Sequence, residues 1–165
     1  MDKKFLIGII IFTIAIVWVG VFMSGGSSSK ASLGKTAGAK AETKQLDYSF
    51  GNIPLKGGVV KYAFPIKNTG TKELTIANLA TSCHCTKVYF EYKNQKSPQF
   101  GMKGYGSSDW IGKLKPSEKG SIIAVFDPAF HGPQGAGPIS RIVSIETNDP
   151  DHPYIEFSFS ANVIK

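Results

Sequence analysis

Polar and apolar residues alternate along much of the chain after residue 45, which is the spacing of half-buried β-strands. The alternation is clearest near the end, where Ile155, Phe157 and Phe159 fall on one face and Glu156 and Ser158 on the other. Further strand signals lie at 60–67, 74–77, 85–92, 122–126 and 142–145. About seven short strands separated by turns predict an all-β, immunoglobulin-like β-sandwich over residues 46–165.

The N-terminal part has a different pattern. Residues 5–23 form an uncharged apolar run, and about 20 such residues are needed for a helix to cross a bilayer. A cleaved signal peptide, with an apolar run of about 7–15 residues, is the weaker alternative. Lys3 and Lys4 precede the run, so the positive-inside rule predicts a cytoplasmic stub at 1–4, a transmembrane helix at 5–23 and an extracytoplasmic C-terminal domain in the cell membrane.

The next stretch, 24–45, is rich in Ser, Gly, Ala and Lys and almost lacks large apolar residues. Such a composition buries too little surface to offset the entropy of ordering. We therefore expect a flexible linker between the transmembrane helix and the sandwich.

Charge and motif content narrow the range of functions that the sequence supports. More than half of the formal net charge of +7 lies in the first 45 residues, and Arg141 is the one arginine of the chain. The sequence has no cluster of basic and aromatic residues of the kind that binds nucleic acid. Nucleophile-elbow, phosphate-loop and zinc-protease motifs are absent from the sequence, so we expect a binding module and no enzyme. The alternative to a metal-binding module is a structural or adaptor domain that binds another envelope protein.

The most distinctive chemistry lies in the hexapeptide TSCHCT at 81–86, which holds both cysteines of the chain. Two cysteines cannot form a disulfide framework, so the domain must fold by apolar burial. On extended backbone, Cys83 and Cys85 share one face and His84 the other.

A soft metal ion is the first interpretation of this pair. Thiolate, thioether and imidazole ligands together suit Cu(I), and a set dominated by thiolate and imidazole suits zinc. Two glycine-rich loops, at 93–110 and 128–138, are long enough to form a site and supply Met102 and His131. The predicted copper ligands are Cys83, Cys85, Met102 and His131, with His84 as an alternative ligand.

Two other interpretations stay open. A Cys-x-Cys bridge closes a small ring, and such bridges are typical of redox-active disulfides. Alternatively, the two cysteines pack in the core as small apolar residues. Free thiols are a liability in an oxidising compartment, which favours a ligand role over free packing.

Several separated segments together resemble a known bacterial family. They are DYSFGNI (47–53), FPIKNTG (64–70), LTI (74–76), SCHCT (82–86), KPSEKG (115–120) and TNDP (147–150). In this order they resemble the domain of unknown function 1573. The resemblance implies an immunoglobulin-like module of the ASH and major-sperm-protein type in an extracytoplasmic setting, and it implies no activity. His84 stands where the family usually has a small residue.

Overall fold

The computed structural model describes residues 3–24, 30–104 and 108–165. In these residues the chain forms one α-helix, ten strands and a short 3-10 helix. The elements are α1 (Lys3–Ser24), β1 (Ala41–Glu42), β2 (Asp47–Pro54), β3 (Val60–Asn68), β4 (Leu74–Thr81), β5 (Thr86–Tyr92), β6 (Gln95–Lys96), β7 (Ile111–Leu114), β8 (Lys119–Phe126), η1 (Gly132–Gly135), β9 (Gly137–Thr147) and β10 (Tyr154–Ile164).

The ten strands form two five-stranded sheets, which confirms the predicted all-β sandwich. The strand order is β1-β3-β8-β5-β6 in the first sheet and β2-β10-β9-β4-β7 in the second. Strands β2 and β10 run parallel, whereas the other described pairs are antiparallel.

The alternating apolar residues of both sheets meet in a single core. Phe64 on β3 and Phe157 on β10 are fully buried, and their ring centroids lie 5.0 Å apart across the two sheets. Ile66 and Phe159, two positions further along each strand, are also buried. Each such side chain contributes about 1.5–3 kcal/mol by leaving water, so the alternation accounts for the stability of the sandwich.

Asn68, in one of the motif segments, joins the two sheets through its buried side chain. Its Nδ2 donates to the carbonyl oxygens of Leu114 (2.9 Å) and Lys72 (2.7 Å), and its Oδ1 accepts from the N–H of Gly70 (2.9 Å). A buried amide is stable only when it is hydrogen-bonded in this way. Asn68 therefore has a structural role at the end of β3.

Asn148 and Asp149 have a similar role in the turn between β9 and β10. Asn148 Oδ1 accepts from the N–H of Thr75 (2.8 Å), and Asp149 Oδ2 accepts from that of Ala41 (2.8 Å). Burial raises the pKa of Asp149, but hydrogen bonds from the N–H groups of Ala41 and Asp151 and from His152 outweigh it and hold the pKa below its ordinary value. The turn thereby fixes β1 and β4.

Helix α1 includes the predicted span at 5–23, and its described large side chains between Phe5 and Val19 are exposed. In the part of the chain that the structure describes, no helix combines the length and apolarity that a bilayer crossing requires. The structure therefore gives the predicted transmembrane helix no support.

The predicted flexible linker at 24–45 packs against the sandwich from residue 30 onward, while residues 25–29 lie outside the described part. The side chains of Ala31, Ala39 and Ala41 are buried. Thr36 donates its N–H to the carbonyl oxygen of Asn148 (2.8 Å). Small side chains allow this close packing, which the composition alone did not indicate.

Candidate metal centre

Two connections between the sheets lie side by side at one rim of the sandwich. Residues 82–85 join β4 to β5, and residues 127–136 join β8 to β9. The end of β4 pairs with β9, and the start of β5 pairs with the end of β8. The N–H of Asp127 donates to the carbonyl oxygen of Cys85 (3.0 Å) and joins the two connections. Sheet topology therefore brings the predicted cysteine and histidine segments together.

Residues 82–85 form a tight turn closed by a Cys83–Cys85 disulfide. The buried hydroxyl of Thr81 donates to the carbonyl oxygens of Cys83 (3.0 Å) and Thr86 (3.1 Å). Cys85 is only 3% exposed and belongs to the core, whereas Cys83 is half-buried at its edge. The backbone thus turns here and is not extended, because hydrogen bonds inside the turn replace those of a sheet.

His131 reaches the turn from the second connection. Asp127 Oδ1 accepts from the N–H of Ala129 (2.9 Å) and bends the chain just after β8. Gly132 follows His131 with a φ of 63°, a conformation that glycine adopts without strain. These local turns place His131 Nε2 3.5 Å from Cys83 Sγ, on the exposed side of the pair.

Arg141 also contacts the pair, through Cys85, and is not among the predicted site residues. Its Nε donates to Cys85 Sγ (3.2 Å), and its Nη1 donates to the carbonyl oxygen of Ser140 (2.7 Å). A signal was present in the sequence. Period-two alternation along β9 places Arg141 on the same face as the buried Val143 and Ile145, where a charge requires a partner.

The sulfurs of Cys83 and Cys85 and a ring nitrogen of His131 all lie within 4.8 Å of one another. Ligands of a trigonal ion with bonds of about 2.0–2.3 Å are about 4 Å apart, so the two bonded sulfurs would have to separate after reduction to form such a set. The thiolate form of cysteine binds metal ions, and a disulfide does not. Cys83, Cys85 and His131 are therefore the residues that could hold a soft ion, and only with the disulfide reduced.

Met102 and His84 are placed differently from the other predicted ligands. Met102 pairs as an isolated bridge with Thr81 and lines a cavity of about 550 Å³. The cavity lies beside the outward-facing Ser144 and Glu146, and its lining does not include Cys83, Cys85 or His131. His84 is half-buried in the turn. The structure therefore brings together three of the four predicted ligands and places Met102 in the wall of a separate cavity.

The predicted loop at 93–110 that carries Met102 packs in part on the core. Phe100 and Trp110 lie against the core with ring centroids 5.8 Å apart. Tyr105, in the same predicted loop, lies outside the described residues.

Glu146 lines the same cavity as Met102. It accepts hydrogen bonds from Lys30 Nζ (2.6 Å) and Asn78 Nδ2 (2.7 Å), which outweigh the effect of burial and lower its pKa.

Comparison with protein families confirms the resemblance seen in the sequence. The model of the family described as "Protein of unknown function (DUF1573)" matches residues 41–101, a segment that includes both cysteines and ends before His131 and Arg141. No curated protein matches the chain.

Solved structures share the fold. A protein of unknown function from Porphyromonas gingivalis W83 is 17% identical, with a TM-score of 0.58, and the match covers 84% of this chain and 51% of that one. This chain thus spans about half the length of that protein. The human CEP192 ASH/PapD-like domain 7 is also 17% identical, with a TM-score of 0.46 and coverage of 86% and 96%. At 17% identity the likeness to the Porphyromonas gingivalis protein concerns the fold alone.

Proposed function

We propose that this domain is a non-catalytic module that binds a soft metal ion, Cu(I), through reduced Cys83 and Cys85 together with His131. One observation carries the proposal, namely that three ligand atoms of suitable type lie within 4.8 Å of one another at the sandwich rim. Two thiolates and one imidazole suit both zinc and Cu(I), so ligand number and charge have to decide between the two ions.

Ligand number and charge both favour Cu(I) over zinc. Structural zinc sites are almost always four-coordinate, and among the described residues three ligands converge here. Arg141 adds one positive charge beside Cys85. Together with two thiolates it leaves a net charge of −1, which a monovalent ion neutralises and a divalent ion exceeds. A neutral complex is preferred at a half-buried site because burying net charge is costly.

A competition titration tests the proposal. The purified, reduced chain is titrated with Cu(I) under anaerobic conditions against a chromophoric chelator. We expect the Cys83→Ser, Cys85→Ser double variant to lose binding and His131→Ala to weaken it at least about tenfold. His152→Ala, which removes the imidazole of a turn histidine far along the chain, is the matched control and should bind like the unmodified protein. Unchanged affinity in the double variant would contradict the proposal.

We further propose that the domain works outside the cytoplasm. The Cys83–Cys85 disulfide supports this location, because disulfides persist mainly in oxidising compartments. Reporter fusions at the C-terminus test it, and a reporter active only in the cytoplasm would contradict it. Membrane association through residues 5–23 and an envelope protein partner stay predictions, which fractionation and affinity capture test.

A further inference from the structure

We infer that the Cys83–Cys85 disulfide is opened from the Cys83 side by an external thiol reductant, with Arg141 stabilising the departing sulfur of Cys85. Opening the disulfide would thus free Cys83 and Cys85 to bind a metal ion. This link to metal binding rests on the proposed function, whereas the exchange step itself does not. Three observations support this inference. They are the exposure of Cys83, the charge of Arg141 beside Cys85, and the hydrogen bonds that join the strand of Arg141 to the cysteine turn.

The two sulfurs differ in access. Cys83 is half-buried and faces the exposed His131, whereas Cys85 is 3% exposed and sits in the apolar core. An incoming thiolate has to approach in line with the S–S bond and needs room at the sulfur that it attacks. Cys83 is therefore the sulfur that an external thiolate can reach.

The positive charge of Arg141 lies beside Cys85, the sulfur that would leave when Cys83 is attacked. When Cys83 is attacked, negative charge develops on Cys85, and Arg141 Nε already donates to that atom at 3.2 Å. A hydrogen bond from a cation to an ionised group is about twice as strong as a neutral one. Without it, the charge would develop in apolar surroundings, at a high desolvation cost.

Backbone contacts hold Arg141 in register with the turn. Ser82 donates its N–H to the carbonyl oxygen of Ile142 (2.9 Å), and the N–H of Ile142 donates to Ser82 Oγ (2.9 Å). These bonds join the residue before Cys83 to the residue after Arg141. The guanidinium is thereby attached to the same turn that holds the disulfide.

The exchange is a two-electron reduction by a dithiol. One thiolate of the reductant attacks Cys83 Sγ, the Cys83–Cys85 bond breaks, and its electron pair leaves with Cys85 as a thiolate beside Arg141. The second thiol of the reductant loses its proton to solvent and attacks the mixed disulfide. Cys83 is then released as a thiolate and the reductant leaves as its own disulfide.

The role of Arg141 is tested by the rate of reduction with dithiothreitol, without metal. We expect Arg141→Met to slow reduction about tenfold, since it removes a charged hydrogen bond to the leaving sulfur. Arg141→Lys should restore much of the rate because the positive charge returns. Lys113→Met removes a positive charge from an exposed pair with Glu73 and serves as the control. Equal rates in Arg141→Met and the unmodified protein would overturn the inference.

The direction of attack is tested by single-cysteine variants and a small aromatic disulfide reagent. Cys83, alone in Cys85→Ser, should react at least about tenfold faster than Cys85, alone in Cys83→Ser, in the folded state. The two rates should converge in guanidinium chloride, which separates access from intrinsic reactivity. A faster Cys85 would overturn the inference. Cu(I) affinity of the pre-reduced protein remains a separate measurement, so failure here and failure of metal binding are distinguishable.

Discussion

The sulfur of Cys85 combines burial in an apolar core with a direct contact to the single arginine of the chain. The structure shows this sulfur in a disulfide, and the inferred reduction would convert it to a thiolate paired with Arg141. By contrast, the motif residues Asn68 and Asp149 bind backbone groups and stabilise the sandwich. At the residue scale, the cysteine turn and its two neighbours, His131 and Arg141, are the part of the described chain to which the proposed chemistry belongs.

Gly135 offers a way to displace His131 without altering any ligand atom. A Cβ at Gly135 would lie 2.8 Å from the Cβ of His131, which is too close for the present loop. We expect Gly135→Ala to move the imidazole and weaken Cu(I) binding several-fold, with little loss of stability because the loop is exposed. Gly34→Ala, where a Cβ meets no atom within 4 Å, is the control. Equal Cu(I) affinities in the two variants would show that His131 is no ligand.

Residue chemistry accounts for what could be predicted at this scale. Cys83, Cys85 and His131 were selected from the sequence as soft-metal ligands, and the structure brings them together. Met102 was selected on the same grounds, but an isolated bridge to Thr81 places it in a cavity wall. Ligand type can be read from a sequence, whereas the direction in which a loop presents a side chain depends on the contacts of that loop.

Strands with clear alternation were predictable, and the others were not. Strand β10 matches the period-two pattern throughout. Strand β2 is mostly exposed and β7 has four residues, so neither carries a strong apolar signal. Nor does the sequence state that β4 pairs with β9 and β5 with β8. That order brings the two connections together, and it depends on packing between distant strands.

The turn between β9 and β10 should make the fold sensitive to acid. The folded-state pKa of Asp149 lies below its ordinary value, so its stabilisation is complete above about pH 4 and is lost as the pH falls through the lower folded pKa. Asp149→Asn should cost about 1–3 kcal/mol at neutral pH, because the buried N–H of Ala41 loses its charged acceptor.

Thermal unfolding from pH 7 down to pH 2 measures this effect. The Tm of the unmodified protein should fall more steeply below about pH 4 than that of Asp149→Asn. The exposed Asp151→Asn is the matched control and should follow the unmodified protein. Parallel Tm curves for Asp149→Asn and the unmodified protein would show that the carboxylate does not stabilise β1.

For the whole molecule, the sandwich and its family resemblance were predictable from the sequence, while the N-terminal region was not. Composition indicated a linker up to residue 45, yet the segment from residue 30 contacts both sheets, since β1 pairs with β3 and Asn78 on β4 donates its Nδ2 to the carbonyl oxygen of Ala31 (2.8 Å). Small residues leave no apolar pattern, so the sequence gives no sign that they pack. The sandwich and the described part of its N-terminal segment thus pack together, with the cysteine turn at the rim.

X-ray absorption spectroscopy at the copper edge of the reduced, Cu(I)-loaded chain tests the central claim most directly. We predict a three-coordinate ion with two sulfur ligands and one imidazole nitrogen, and loss of the imidazole signal in His131→Ala. A spectrum without sulfur ligands, or one that is identical in the Cys83→Ser, Cys85→Ser variant, would contradict the account.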